Sequence, residues 1–204
     1  MTTANVTAGQ LRYFVVRRPA PDDAAAVTGL INLCSVVETG SLAMTVDRLN
    51  KIWVSPGFDL QAGAWVVFEP AGDLVGYAEL WDQPPYEETP YVWVHVRPDY
   101  VGRGIGMHLL SLAEARVRRT ARCEESHRRK ALRMATICLN QTARRLLNEG
   151  GFRLIERFWR SDYGPLAVGR TATPADRIAW RTYQPGDHRL GAYRYDIYEK
   201  DLCA

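Results

Sequence analysis

The chain has 204 residues, of which 47% are hydrophobic and 24% charged, and its net charge is +3. This length suits one domain with a sizeable core, and the mild charge gives no reason to expect a nucleic-acid surface. No apolar run approaches the roughly 20 residues of a membrane-spanning helix, and the four cysteines show no close spacing. We therefore expect a cytoplasmic protein with reduced thiols that binds neither membrane nor nucleic acid.

Runs of β-branched and aromatic residues alternate with segments of helical periodicity along the first half of the chain. Residues 1–9 are small and polar, so we expect a disordered tail before a single domain over residues 10–204. Asp22 or Asp23 is expected to cap the first helix, because a carboxylate accepts from the open N–H groups of a first turn. The predicted elements are a strand at Leu11–Arg17, helices at Ala24–Val37 and Thr45–Trp53, a hairpin of strands at Ala64–Glu69 and Leu74–Trp81, and a strand at Tyr91–Val96.

Three glycines, Gly102, Gly104 and Gly106, follow the last of these strands. Pro98 ends the strand, and apolar residues recur at helical spacing from Ile105 onward, so the segment predicts a strand, a glycine-rich turn and a helix. Glycine lets the backbone approach a ligand, and the free N–H groups of a first helical turn favour an anion. The third glycine of a dinucleotide fingerprint and the Gly-Lys-Ser/Thr of a P-loop are both absent. The turn therefore predicts a phosphate or pyrophosphate site of another kind.

The second half predicts a strand at Leu132–Cys138, a helix at Leu139–Glu149 and a strand at Phe152–Trp159. Together with the glycine-rich turn, it resembles the GNAT superfamily of acyl-CoA N-acyltransferases. The acyl-CoA signature V-x-P-x-x-[QR]-x-x-G-x-[GA] is matched by Val96, Pro98, Gly104 and Gly106. The downstream pattern N-x-x-A-x-x-L-x-x-x-G-[GF] is matched by Asn140, Ala143, Leu146, Gly151 and Phe152.

The resemblance covers about residues 12–159 and implies an α/β (α+β) fold. Its sheet would be mixed and mostly antiparallel, with six or seven strands, flanked by helices and splayed at the acyl-CoA site. Residues 163–204 would supply the last strand, at Ala192–Glu199, and we favour this interpretation. The alternative is the remnant of a tandem second half, since Arg181, Pro185 and Asp187 repeat the spacing of Arg17, Pro21 and Asp23.

The resemblance also implies acetyl-CoA, or another acyl-CoA, as co-substrate, and no metal. The backbone of the last predicted strand would pair with pantetheine, the turn would hold the pyrophosphate, and Asn140 would bond the cofactor arm. Val101 stands where the family usually has Gln or Arg, which removes one side-chain contact with CoA. The residues implied at the cofactor are Val94, His95, Val96, Val101, Gly102, Arg103, Gly104, Ile105, Gly106, Met107 and Asn140.

The implied reaction is direct attack of an amine on the acyl thioester in a ternary complex. Glu79 and His95 are the candidate general bases, because a carboxylate can take the amine proton through water and an unperturbed imidazole titrates near about pH 6.5. Leu147 stands where the family usually has a Tyr near the leaving thiolate. This departure and Val101 leave open an alternative, a non-catalytic acyl-CoA-binding or interaction module.

The partner expected from the resemblance is a small-molecule amine acceptor, and a homodimer is compatible with the sequence. Trp81 and Tyr86 lie beside a proline-rich loop and could shape a pocket for the acceptor, and Glu87 in that loop favours a cationic one. The acceptor's identity carries no recognisable sequence signature.

Overall fold

The computed structural model describes residues 13–84, 89–120, 131–161 and 192–202. Within these ranges, the α-helices and strands follow the predicted order, and the single-turn helix α3 is added to them. The elements are β1 (Val15–Arg17), α1 (Ala24–Thr39), α2 (Val46–Trp53), α3 (Leu60–Gly63), β2 (Ala64–Phe68), β3 (Leu74–Trp81), β4 (Tyr91–Val96), α4 (Ile105–Thr120), β5 (Ala131–Ile137), α5 (Gln141–Glu149), β6 (Arg153–Ser161) and β7 (Ala192–Asp201).

The seven strands form one open, mixed sheet in the order β1-β2-β3-β4-β5-β7-β6. The pairs β1/β2, β2/β3, β3/β4 and β6/β7 are antiparallel. The predicted mixed, mostly antiparallel sheet flanked by helices is therefore confirmed, whereas its splay at an acyl-CoA site stays a prediction. By packing, the chain divides into one compact unit up to Leu132 that also contains the residues from Asp201 on, and a second over Arg133–Lys200. The single-domain organisation stays a prediction.

Helices α1 and α2 build the core of the first unit against one face of its sheet. The apolar residues of α1 recur at helical spacing, so one stripe of the helix is buried. No helix among the described residues is long and apolar enough to cross a membrane. The buried residues of this cluster are Ala24, Val27, Leu30, Ile31, Cys34, Leu49, Trp53, Ala64, Val66, Leu74 and Tyr77.

The start of α1 differs from the sequence prediction. Asp23 occupies the N-cap position, but its side chain makes no cap hydrogen bond to the helix. Its carboxylate instead accepts from both terminal nitrogens of Arg17, at 2.6 and 2.7 Å, and from the N–H of Ala20 at 2.6 Å. The predicted carboxylate cap is wrong, because a charged bidentate donor on the neighbouring strand outcompetes the neutral N–H groups of the helix.

Helix α4 packs on the opposite face of the sheet, and Gly76 of β3 makes this possible. A β-carbon on residue 76 would lie 2.8 Å from Cγ2 of Ile105 and 3.1 Å from Cβ of Val67. Both of these neighbours are buried, so neither has free space to move into. The missing side chain therefore sets how closely the first residue of α4 approaches the sheet.

A single amide side chain holds the connection between α1 and α2. Oδ1 of Asn32 accepts from the N–H groups of Ala43 and Met44, at 3.0 and 2.9 Å, and Nδ2 donates to the Met44 carbonyl at 2.9 Å. These bonds satisfy backbone groups that no helix or strand pairs, so the connection is fixed to the body of α1.

The second unit contains α5 with strands β6 and β7. Oδ1 of Asn140 accepts from the Ala143 N–H at 2.8 Å and so caps α5. Leu147 and Phe152 are buried, and the antiparallel pairing of β6 with β7 runs from Arg153 to Ser161. The segment at Ala192–Glu199 is therefore a strand, as the alternating pattern predicts.

Candidate active site

The glycine-rich turn joins β4 to α4 through one 3-10 turn, Pro98–Tyr100. Gly102 and Gly104 both have a φ of 82°, in the left-handed region where residues with a β-carbon are strained. The N–H of His108 donates to the carbonyl of Gly104 at 3.0 Å, so the helical hydrogen bonds start at residue 104. The guanidinium of Arg103 lies 4.3 Å from the centre of the Tyr100 ring, which holds this cation at the turn.

Several backbone N–H groups of this turn have no acceptor within the described part of the chain. They belong to Gly102 and Gly104 and to the first three residues of α4, 105–107. The first N–H groups of any helix lack an internal partner, and the aligned peptide dipoles add partial positive charge at that end. The arrangement fits a pyrophosphate, and it does so without the side chain of Val101, which is 42% exposed.

A second group of polar atoms lies on the face of β3 that packs against α1 and α2. The hydroxyl of Tyr77 donates to Oε2 of Glu79 at 2.8 Å, and the indole N–H of Trp81 approaches Oε1 at 3.3 Å. The indole N–H of Trp53 in α2 donates to the Tyr77 hydroxyl at 3.0 Å. Tyr77, Trp53 and Trp81 are buried, whereas Glu79 is half-buried, so the carboxylate is held in one position at the edge of the core.

The electrostatics of this group keep the phenol of Tyr77 neutral. Burial, with the Glu79 charge as the next cause, raises the pKa of Tyr77 well above its usual range. The phenol therefore keeps its proton and remains a donor to the carboxylate across the physiological pH range. A carboxylate fixed by two donors and partly open to solvent is suited to accept a proton through a water molecule.

His95 lies directly opposite Tyr77 in the β3/β4 register, and the two rings are stacked with centres 6.5 Å apart. Desolvation lowers the pKa of the imidazole to about 4. His95 is therefore neutral at pH 7, with little tendency to hold a proton that it takes from an amine.

A family model described as the acetyltransferase (GNAT) family matches residues 38–152, which is more than half of the chain. The chain belongs to the GNAT family. The match includes both the glycine-rich turn and the segment from Asn140 to Phe152, the two regions that carry the resemblance in the sequence. A comparison of this GNAT chain with curated proteins found no match.

Solved structures place this GNAT chain among acetyltransferase folds. A GCN5-related N-acetyltransferase from Sphaerobacter thermophilus is 22% identical to this chain, with a TM-score of 0.65. The match covers 86% of this chain and 54% of the Sphaerobacter protein. The chain thus spans about half the length of that protein. A phosphinothricin acetyltransferase from Sinorhizobium meliloti in complex with acetyl-CoA is 15% identical, with a TM-score of 0.61. That match covers 93% of this chain and 89% of the other protein. YncA from Salmonella typhimurium, a putative acetyltransferase with acetyl-CoA bound, is 20% identical, with a TM-score of 0.57. Here the match covers 94% of this chain and 95% of YncA. At these identities, the likeness shows the fold.

The predicted residues of the GNAT site fall in both compact units. Val94, His95 and Val96 lie on β4, which continues into the 3-10 turn and the glycine-rich turn at residues 101–107. Asn140 and Leu147 belong to the second unit. Asn140 caps α5, and Leu147 has no exposed surface, so it serves as a core residue where the family usually carries a phenol.

The predicted acceptor residues have different outcomes in this GNAT protein. Trp81 is buried. Its ring is tilted by 36° against that of Phe58, with ring centres 4.9 Å apart, and its indole N–H approaches Glu79. Its contact with an acceptor stays a prediction, as does that of Tyr86 and Glu87, which lie outside the described residues. No group of three or more His, Cys, Asp or Glu side chains in the described ranges could hold a metal ion.

Sequence reasoning missed two functional features of the GNAT site. The hydrogen bond from Trp53 to Tyr77 joins positions 24 residues apart. No sequence pattern indicates such a contact. Gly76 did leave a signal, because a glycine inside a strand often marks a close backbone approach.

Proposed function

We propose that this GNAT protein is an acetyl-CoA-dependent N-acetyltransferase that modifies the amine of a small molecule. The proposal is carried by five N–H groups, those of residues 102 and 104–107, which have no acceptor among the described residues. These donors suit the pyrophosphate of an acyl-CoA, and Arg103 adds a cation beside them. The family membership supports the same co-substrate.

The proposed reaction takes place in a ternary complex of protein, acetyl-CoA and amine. Glu79 accepts a proton from the ammonium through a water molecule, and the neutral nitrogen attacks the thioester carbonyl carbon. The attacking nitrogen loses its surplus proton to solvent, the carbon–sulfur bond breaks, and the products are the neutral amide and CoA as a thiolate. A thiolate is a weak base with a usual pKa near about 8.5, so solvent can supply its proton in the absence of a Tyr at position 147.

The pantetheine arm would lie along the backbone of Val94–Val96, with Asn140 as a further contact. Trp81, Tyr86 and Glu87 stay in the proposal as the acceptor side, with Trp81 acting through its hydrogen bond to Glu79. His95 contributes as a neutral flanking group. A cytoplasmic location and a homodimer also stay predictions.

The test mixes the protein with acetyl-CoA and a panel of small amines, and follows free thiol and the acetylated product. Glu79→Gln should lower kcat by about 10²–10⁴-fold, the range of a general base, with unchanged acetyl-CoA affinity. Glu149→Gln, which alters an exposed carboxylate at the end of α5, is the matched control and should keep full activity. Calorimetry showing no acetyl-CoA binding would reject both the co-substrate and the activity.

The second candidate is a non-catalytic acyl-CoA-binding module. The buried Leu147 favours it, because no phenol occupies the position near the leaving thiolate. This candidate predicts acetyl-CoA binding without turnover on any amine, and no change of rate in Glu79→Gln.

A further inference from the structure

Strand β7 of the second unit carries a carboxylate, Asp196, that has no exposed surface. Three guanidinium groups converge on it from three elements, namely Arg144 of α5, Arg157 of β6 and Arg194 of β7 itself. Their nitrogens lie 3.9, 3.5 and 4.0 Å from the carboxylate oxygens. A buried carboxylate is costly unless opposite charge compensates it, and these three arginines, which we call the arginine cluster, supply that charge.

Asp196 holds the arginine cluster by charge rather than by hydrogen bonds. All three contacts are made through Nε and are longer than a good hydrogen bond. Both oxygens of Asp196 and the buried Nε of Arg194 have no hydrogen-bond partner. Arg144 donates to the Tyr198 hydroxyl at 3.2 Å, whereas the guanidinium groups of Arg157 and Arg194 donate to none of the described residues. Each of these two groups therefore keeps its N–H donors uncommitted.

The guanidinium groups of Arg157 and Arg194 can reach one ligand. Arg157 lies directly opposite Asp196 in the β6/β7 register, and Arg194 is two residues from Asp196 on β7, so the three side chains share a face of the sheet. Opposite and diagonal neighbours of an antiparallel pair lie within reach of long side chains. The side chains of Arg157 and Arg194 are 53% and 38% exposed, which leaves them open to a solute.

Positive charge is in excess at this place. One carboxylate faces three guanidinium groups, and no other carboxylate of the described chain lies within 4.0 Å of Arg157 or Arg194. Asp196 can balance one of the three positive charges. The remaining two repel each other, so an anion that bound between them would remove an unfavourable interaction.

We propose that the arginine cluster is a binding site for an oxyanion, the phosphate or carboxylate group of a small molecule. The planar fork of an arginine presents paired N–H groups that match the oxygens of either group. The oxyanion accepts from the amino groups of Arg157 and Arg194, while Asp196 holds these arginines from the buried side. The proposal does not rest on the proposed function, because the cluster belongs to the second unit and the glycine-rich turn to the first.

Calorimetric titration of the whole chain with inorganic phosphate, at constant ionic strength, tests the site. The wild type should bind phosphate saturably, and Arg157→Gln and Arg194→Gln should each bind it about tenfold more weakly, because each change removes charged hydrogen bonds. Arg153→Gln is the matched control, since it removes the same charge from an exposed arginine of β6 outside the cluster. Equal phosphate affinity in Arg153→Gln and Arg157→Gln would overturn the proposal.

A parallel titration with succinate distinguishes the two kinds of oxyanion. Tighter binding of phosphate than of succinate in the wild type would assign the site to a phosphate group, and the reverse order to a carboxylate. In either case the binding should weaken in Arg157→Gln. Saturable binding of neither anion would overturn the proposal.

The glycine-rich turn offers another place for phosphate, and Gly104→Ala separates the two. Phosphate binding that depends on Arg157 should persist in Gly104→Ala. Loss of phosphate binding in Gly104→Ala, with full binding in Arg157→Gln, would assign the anion to the turn and overturn the proposal.

Arginine-to-lysine variants keep the test decisive if circular dichroism shows that a glutamine variant is unfolded. Arg157→Lys and Arg194→Lys retain the positive charge and lose the planar fork. Both should bind the preferred anion more weakly than the wild type does, and unchanged affinity in both would overturn the proposal.

Discussion

Gly76 links the core of the first unit to the proposed cofactor turn, and Gly76→Ala tests that link. The new methyl group would lie 2.8 Å from Cγ2 of Ile105, and 3.1 and 3.2 Å from Cβ and Cγ2 of Val67. Overfilling of a packed core costs about 1–3 kcal/mol. We expect the free energy of unfolding to fall by that amount. The first residue of α4 should move away from the sheet and take the N–H groups of residues 105–107 with it.

Two assays on the Gly76 variant follow these effects separately. Urea denaturation measures the loss of stability, and calorimetry should show acetyl-CoA binding weakened by about tenfold, equivalent to about 1.4 kcal/mol. Gly29→Ala is the matched control, because a β-carbon there has no neighbour within 4 Å and the residue lies inside α1. It should gain about 0.5–1 kcal/mol of stability and keep its acetyl-CoA affinity. Unchanged stability and affinity in Gly76→Ala would refute the reasoning.

Three further variants probe other parts of the account. Folding depresses the pKa of His95 from 6.5 to about 4, so the unfolded chain takes up a proton at a higher pH than the folded one. The free energy of unfolding should therefore fall as the pH drops from 6.5 to 4, by at most about 1.4 kcal/mol per pH unit. Thermal unfolding of His95→Gln should show a shallower fall, and an unchanged slope would contradict the assignment. Leu147→Tyr should lose about 1–3 kcal/mol in urea denaturation, since Leu147 has no exposed surface; equal stability would mean that a phenol has room. Asn32→Ala removes three bonds to residues 43 and 44, each worth about 0.5–1.5 kcal/mol, so the free energy of unfolding in urea should fall, and unchanged stability would contradict this role of Asn32.

Most helices and strands could be predicted from the sequence because their patterns are local. The apolar spacing of α1 and the runs of β-branched and aromatic residues in β2, β3 and β4 each occupy one continuous segment. The four-residue helix α3 was missed, since such a segment is too short to show periodicity. Its signal was Asp59, whose carboxylate accepts from the N–H groups of Gln61 and Ala62, both at 3.0 Å.

The glycine-rich turn could also be found from sequence, because its conformation depends on residues that are adjacent in the chain. The network around Glu79 could not, since Trp53 reaches Tyr77 only once α2 is packed on the sheet. The wrong cap of α1 has the same origin. Asp23 suits a cap locally, but Arg17 arrives beside it through tertiary structure. Local patterns thus predicted the elements, and competition between distant groups decided the site.

Calorimetric titration of acetyl-CoA tests the central claim most directly, namely that the turn after β4 holds an acyl-CoA. The account predicts one site per chain and at least tenfold weaker binding in Gly104→Ala, where a β-carbon is forced onto a φ of 82°. Gly40→Ala at the end of α1, with a φ of 76°, carries similar strain of about 1–2 kcal/mol and should bind as the wild type does. The account would be contradicted if acetyl-CoA gave no binding heat with the wild type, or if both variants lost acetyl-CoA affinity equally.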